Sequence, residues 1–222
     1  MIGVIIPAGG VGKRVGAPLP KQFIEIAGKP LILHTLAPFL TLPEVSFIVI
    51  PCVASWLEKL KKMVSGLAKP VEVVPGGETR QESVARGLAA LPAEVEIVLV
   101  HDAARPFVTP ALIREVIAQT SAKGAALLAL PARDTVKEVE QGRVVKTLPR
   151  ERIYLAQTPQ GARRELLLKA FSLAEKRGLS GTDEASLLEA VGIPVYVVPG
   201  SFLNFKITTP EDLHLARLLL ER

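Results

Sequence analysis

A single cysteine, Cys52, occurs in the 222 residues. That excludes an intramolecular disulfide and any cysteine-rich zinc site. Cys52 follows an apolar run and reads as a small buried hydrophobe. Aromatic residues make up only 5%, so Ile, Leu, Val and Ala must fill the core. No apolar stretch reaches the roughly 18 residues of a membrane span. No basic segment followed by an apolar stretch of signal-peptide length opens the chain. His34, His101 and His214 are too dispersed for a metal motif, and no block of like charge, repeat or low-complexity segment is found. A cytoplasmic enzyme or binding protein, away from membranes, is the default that remains.

Against these absences, 49% of the residues are hydrophobic, enough to bury a sizeable core in one domain spanning 1–222. Charged residues at 22% exclude a disordered chain. The formal net charge of +5 fits two partner classes, nucleic acid or small phosphorylated substrates. The basic residues are scattered along the chain, as on solvated helix faces, so a nucleic-acid partner is not expected.

Short apolar runs alternate with segments of helical period. Strands are expected at 2–7, 45–50, 71–74, 95–100, 125–130 and 194–198. Helices are expected at 30–40, 54–65, 79–91, 110–122, 163–177 and 183–191, with a last one from Pro210. This order predicts an α/β fold, a mostly parallel twisted sheet with helices on both faces. Ligands then bind at the carboxyl ends of the strands. Residues 133–148 break the rhythm: two alternating segments flank Gln141-Gly142 and predict a β-hairpin. An isolated hairpin is marginal in water, so it needs a surface, either its own domain or a second subunit.

Six clusters suit phosphate chemistry. Pro7-Ala8-Gly9-Gly10-Val11-Gly12-Lys13-Arg14 leaves the first strand. Its glycines bring backbone N–H groups close to a phosphate, and two cations follow. An ordinary strand-to-helix turn also favours glycine. Pro7 and Arg14 break the Walker A pattern, and Val15 breaks the dinucleotide fingerprint. Pro20-Lys21-Gln22 adds a lysine, which alone would be a solvated surface residue. Gly76-Gly77-Glu78-Thr79-Arg80-Gln81-Glu82-Ser83 brings glycines to a helix start. Thr79 and Glu82 there have capping-box spacing, which explains neither the glycines nor Arg80. His101-Asp102-Ala103-Ala104-Arg105-Pro106 ends the fourth strand, with a carboxylate suited to a hard cation. Gly181-Thr182-Asp183-Glu184-Ala185-Ser186 and Asn204-Phe205-Lys206-Ile207-Thr208-Thr209 complete the set. Thr182 and Thr209 are expected helix N-caps. Lys206 sits in a strand-like, otherwise apolar segment and needs an anionic partner.

With these clusters in this order, together with Arg133-Asp134-Thr135 and Gln157-Thr158-Pro159-Gln160, the chain resembles the 2-C-methyl-D-erythritol 4-phosphate cytidylyltransferases. The resemblance runs nearly end to end. It implies a Rossmann-like nucleotidyltransferase fold and transfer of CMP from CTP to a polyol phosphate with release of pyrophosphate. It also implies dependence on Mg²⁺ or another divalent cation, and a homodimer built on a protruding arm at 133–150. By position, Arg14, Lys21 and Lys206 match the catalytic cations. Ala8, Gly9, Gly10, Gly77, Glu78, Ser83 and Ala103 match the nucleotide contacts. Asp102, Arg105, Thr135, Arg150, Thr158 and Thr182 match the acceptor side, Asp102 also as metal ligand and Arg150 through the neighbouring subunit. Two departures stand out: Lys13 where arginine is common, and an extra proline in Gly16-Ala17-Pro18-Leu19. The rivals are a ribitol 5-phosphate cytidylyltransferase, a nucleotide-binding regulator without chemistry, and a nucleic-acid binder. The first two share the fold; the last predicts salt-sensitive duplex affinity.

Overall fold

The computed structural model describes residues 1–10 and 19–221. Arg14, with the rest of segment 11–18, lies outside the described residues.

The chain forms β1 (Ile2–Ile5), a small hairpin of β2 (Glu25–Ile26) and β3 (Lys29–Pro30), and then α1 (Leu31–Thr41). β4 (Val45–Cys52), α2 (Leu57–Val64), β5 (Val71–Pro75), α3 (Arg80–Ala90) and β6 (Ile97–Val100) continue the alternation. α4 (Pro110–Lys123) and β7 (Ala125–Pro131) lead into a second hairpin, β8 (Val136–Glu140) and β9 (Arg143–Leu148). β10 (Tyr154–Arg163), α5 (Arg164–Arg177), α6 (Glu184–Ala190), β11 (Tyr196–Pro199) and α7 (Pro210–Leu220) complete the chain.

Seven strands pair in the order β11-β7-β10-β6-β1-β4-β5. All neighbours are parallel except β10, which runs antiparallel between β6 and β7. Residues alternate between the two faces with the period of two that a pleated strand imposes. Val4, Ile48, Ile50 and Leu99 face one way, onto Leu36 and Phe39 of α1, Leu60 of α2 and Ile113 of α4. Ile5, Val49, Val98 and Val100 face the other way, onto Val84 of α3, Leu167 of α5 and Leu187 of α6. Cys52 is buried as expected, and burial pushes its thiol up to about 11.

The predicted strands and helices are present with ends shifted by one to a few residues; at 54–56 a 3-10 turn precedes the helix proper. β10 is absent from the sequence reading. Gln157, Thr158, Pro159, Gln160 and Gly161 resemble a turn, yet they occupy a central strand whose register breaks between Ala156 and Gln160. Three polar side chains survive there because tertiary hydrogen bonds satisfy them. Gln157 bonds Ser201, Thr158 bonds His101 and Asp102, and Gln160 bonds Asp183 and Ala185. Gly161 is required by contact: a Cβ there would lie 2.3 Å from Thr120 Oγ1 of α4.

The predicted hairpin forms around Gln141 (φ 48°) and Gly142 (φ 80°), the left-handed pair that a two-residue turn demands. β8 and β9 make their own two-stranded sheet, and Val139, Val144 and Val145 stay about half exposed in the single chain.

Candidate active site

The glycine and cation clusters gather at the carboxyl ends of the parallel strands. After β1, Ala8 bridges to Cys52 and donates its N–H to Pro51 O at 2.7 Å. The short 3-10 turn Lys21–Phe23 begins after Pro20 and buries Gln22 and Phe23. Gln22 then donates both amide protons to the glycine loop, to Ala8 O at 2.7 Å and Gly10 O at 3.0 Å. Because a trans peptide points its C=O and the next N–H in opposite directions, holding Ala8 O turns the Gly9 N–H away from Gln22.

The second glycine loop packs beside the first. Ser83 Oγ accepts from Gly77 N at 3.0 Å and donates to Thr79 O at 2.9 Å. A Cβ on Gly9 would stand 3.4 Å from that same hydroxyl, and one on Gly77 would stand 2.3 Å from Glu82 Cβ. Thr79 caps α3, accepting from Glu82 N. The Glu82 carboxylate reaches one residue further back than a capping box requires and accepts from Glu78 N at 2.9 Å.

At the end of β6, Asp102 is the focus of an ionic cluster. Its Oδ2 accepts from Lys206 Nζ at 3.0 Å and Arg105 Nε at 3.3 Å. Its Oδ1 accepts from Arg80 at 3.4 Å. Arg80 in turn grips Glu184 with two parallel bonds of 2.7 and 3.0 Å. Lys21 donates to the carbonyl of Ile207, next to Lys206, at 2.7 Å. Arg80, Arg105 and Lys206 therefore gather around Asp102, with Glu184 on the far side of Arg80 and Lys21 on the carbonyl next to Lys206. Clustered cations at a rim of glycine loops suit a polyanionic ligand.

Burial by itself would raise the Asp102 carboxyl. The charges of Lys206, Arg80 and Arg105 outweigh it and hold the carboxyl far below the usual carboxylate range. Arg80 is likewise disfavoured by burial, but Glu184 and Asp102 more than compensate and hold its guanidinium above its ordinary value.

A buried chain of hydrogen bonds sets this aspartate from below. Asp102 N donates to Thr158 Oγ1 at 3.0 Å, and Thr158 Oγ1 lies 3.0 Å from His101 Nδ1. His101 Nε2 lies 3.0 Å from Arg105 O. A carbonyl accepts only, so Nε2 carries the proton and Nδ1 accepts from the threonine. Burial pushes His101 down to about 4, so the ring is neutral at physiological pH.

Lys206 does not lie on a strand. Its irregular segment is fixed from three sides: Ile207 N donates to Ala104 O, Arg105 Nη1 to Asn204 O, and Asn204 Nδ2 to Thr158 O. Its anionic partner is Asp102.

Lys21, Asp102, Arg105, Thr158 and Lys206 thus converge, and Ala8, Gly9, Gly10, Gly77 and Ser83 line the adjoining glycine loops. Glu78 lies on the second loop, and Ala103 follows Asp102 and is held by a bond from Thr35 to its carbonyl. Thr182 is exposed at the entrance to α6, whose N-cap is Asp183 and not Thr182 as expected. Asp183 wins because its carboxylate and Ser186 form a reciprocal capping box. Thr209 does cap α7. Thr135 is exposed on the arm, and Arg150 donates to Arg133 O at the arm's base. Sequence reasoning assigned no role to Gln22, Gln160 or Asn204. Their side-chain partners lie 12 to 47 residues away, beyond the reach of a local pattern.

Among the described residues, no group of three or more His, Cys, Asp or Glu side chains could hold a metal ion. Magnesium needs less: one or two carboxylates, with phosphate and water filling the rest. Asp102 would supply one carboxylate of that sparse set.

The family model described as IspD, 2-C-methyl-D-erythritol 4-phosphate cytidylyltransferase, matches residues 2–222. A protein of that name from Acidobacterium capsulatum is 46% identical over 231 residues, covering 99% of this chain and 97% of that one. Another, from Carboxydothermus hydrogenoformans, is 44% identical, covering 100% and 96%. The crystal structure of the 2-C-methyl-D-erythritol 4-phosphate cytidylyltransferase of Thermus thermophilus is similar at a TM-score of 0.82 and 39% identity, covering 99% and 98%. That of the 4-diphosphocytidyl-2C-methyl-D-erythritol synthase of Anaerococcus prevotii reaches a TM-score of 0.89 at 29% identity, covering 100% and 99%.

Proposed function

The chain belongs to the 2-C-methyl-D-erythritol 4-phosphate cytidylyltransferase family, and we propose that its rim of glycine loops and lysines carries out that family's reaction. The enzyme transfers CMP from CTP to 2-C-methyl-D-erythritol 4-phosphate. The products are 4-diphosphocytidyl-2-C-methyl-D-erythritol and pyrophosphate. The observation that carries the site assignment is the meeting of Lys21 with the Ile207 carbonyl beside Lys206, which joins cations from opposite ends of the chain.

A phosphate oxygen of the acceptor attacks the α-phosphorus of CTP in line. The bond from that phosphorus to the β-phosphate oxygen breaks, and pyrophosphate leaves with the electron pair. Two polyanions must approach each other, so the protein's task is to neutralise and position. Lys21 and Lys206 flank the α-phosphate and stabilise charge on its oxygens, and Arg14 is the third cation that the family resemblance implies. The backbone of Ala8, Gly9 and Gly10 cradles the triphosphate, and Gly77, Glu78, Ser83 and Ala103 face the nucleoside. Arg105 and Thr182 hold the acceptor. Thr158, committed to Asp102 and His101, keeps the aspartate in place. Asp102 would hold a divalent cation, which would supply charge neutralisation to the triphosphate.

The same proposal includes a homodimer. The half-exposed valines of the arm pack on a second copy, bringing Thr135 and Arg150 to the neighbour's acceptor site. The proposal also places the enzyme in the cytoplasm. No helix among the described residues is long and apolar enough to cross a membrane.

The experiment is pyrophosphate release across a panel of nucleoside triphosphates and polyol phosphates. Turnover with CTP and methylerythritol phosphate, well above ribitol 5-phosphate, is the expected outcome. Preference for ribitol 5-phosphate, or no pyrophosphate from any pair, overturns the reading.

A further inference from the structure

Arg80 and Gln81 open α3, directly behind the loop that carries Gly77 and Glu78. The two side chains reach across to α6 and to the segment before it. Gln81 Nε2 donates to Leu179 O at 3.3 Å, and its Oε1 accepts from Gly181 N at 3.0 Å. Arg80 holds Glu184 through two bonds and touches Asp102 with the same guanidinium. Thr182 lies between these grips. On its other side Asp183 is held by Gln160 at 2.8 Å. Gly181 lies against α6 with no room for a side chain, since a Cβ would sit 2.7 Å from Leu187 Cγ and Ser186 Oγ. The Thr182 backbone is therefore set by neighbours that the nucleotide-side loop controls.

We infer that Arg80 and Gln81 are positioning residues that fix Thr182 for the acceptor phosphate from the nucleotide-side loop, coupling the two substrate subsites. The inference rests on Thr182 lying in the acceptor pocket. The two bonds of Gln81, one exposed and one part-buried, go to backbone groups of Leu179 and Gly181 and not to the charged side chains. Arg80 does both jobs: its fork fixes Glu184, and one arm steadies Asp102.

The test is steady-state kinetics of Gln81→Leu, Thr182→Val and the double variant, with melting temperatures alongside. Gln81→Leu is expected to raise KM for methylerythritol phosphate about tenfold, the size of one or two hydrogen bonds. KM for CTP and the melting temperature stay near wild type. In the Thr182→Val background, Gln81→Leu adds little, because the residue through which it acts is already altered. Arg80→Lys keeps the charge, loses the fork, and moves acceptor KM in the same direction. An unchanged acceptor KM in Gln81→Leu overturns the inference, as does an equal rise in both KM values or a fully multiplicative double variant. Those outcomes leave the proposed reaction standing. A wild-type enzyme inactive on CTP and methylerythritol phosphate defeats that reaction instead.

Discussion

Replacing Thr158 with valine removes one hydroxyl and strands two buried groups. Asp102 N–H loses its acceptor, and His101 Nδ1 loses its donor. Thr158 is 4% exposed and His101 0%, so water does not readily replace either bond. Each buried group left unpaired costs about 1–3 kcal/mol, so the pair predicts about 4 kcal/mol of lost stability. For a chain of this size that is a fall in Tm of roughly 8–16 °C. Calorimetry near pH 8 measures it, and Thr158→Ser, which keeps the hydroxyl, is expected to recover most of the loss. A valine variant melting within about 2 °C of wild type would refute the hydrogen-bond chain as the support beneath Asp102.

Stability also depends on pH through His101. Its folded pKa of about 4 lies below the ordinary 6.5, so the unfolded chain binds the proton first. The contribution is therefore complete above about pH 6.5 and is lost as pH falls towards 4, amounting to roughly 3 kcal/mol. Asp102, also depressed, adds a loss that begins near pH 4 and continues below it. Denaturant midpoints from pH 8 to 4 test this, and a midpoint that holds or rises on acidification contradicts it. At the nucleotide loop, Gln22→Glu sets a carboxylate against two carbonyls and is expected to raise KM for CTP at least tenfold, by roughly 1.4 kcal/mol or more. The defect shrinks as pH falls, because a protonated glutamate donates once. A pH-independent defect would remove Gln22 from loop control.

The parts of this molecule readable in its sequence are those that physics writes locally. Runs such as Ile2–Ile5 and Val45–Cys52 are apolar because both faces are covered. Glycine at 76 and 77, threonine at 79 and 209 and proline at 110 announce the turns and helix starts. β10 was hidden because its polar residues are tolerated only through partners such as Ser201 and Asp183, remote in sequence. The same limit hid Gln22 and the grip of Gln81 on a segment 98 to 100 residues away. At α6, two adjacent residues both suit a cap, and only the reciprocal bond with Ser186 decides for Asp183.

In the proposed reaction two lysines, one from each end of the chain, act on one phosphorus atom. The most direct measurement is kcat for pyrophosphate release by Lys21→Ala and Lys206→Ala, each checked for a native far-UV spectrum. Each variant is predicted to fold and to lose roughly 10²–10³ in kcat. A near-normal kcat in either one would contradict the shared site.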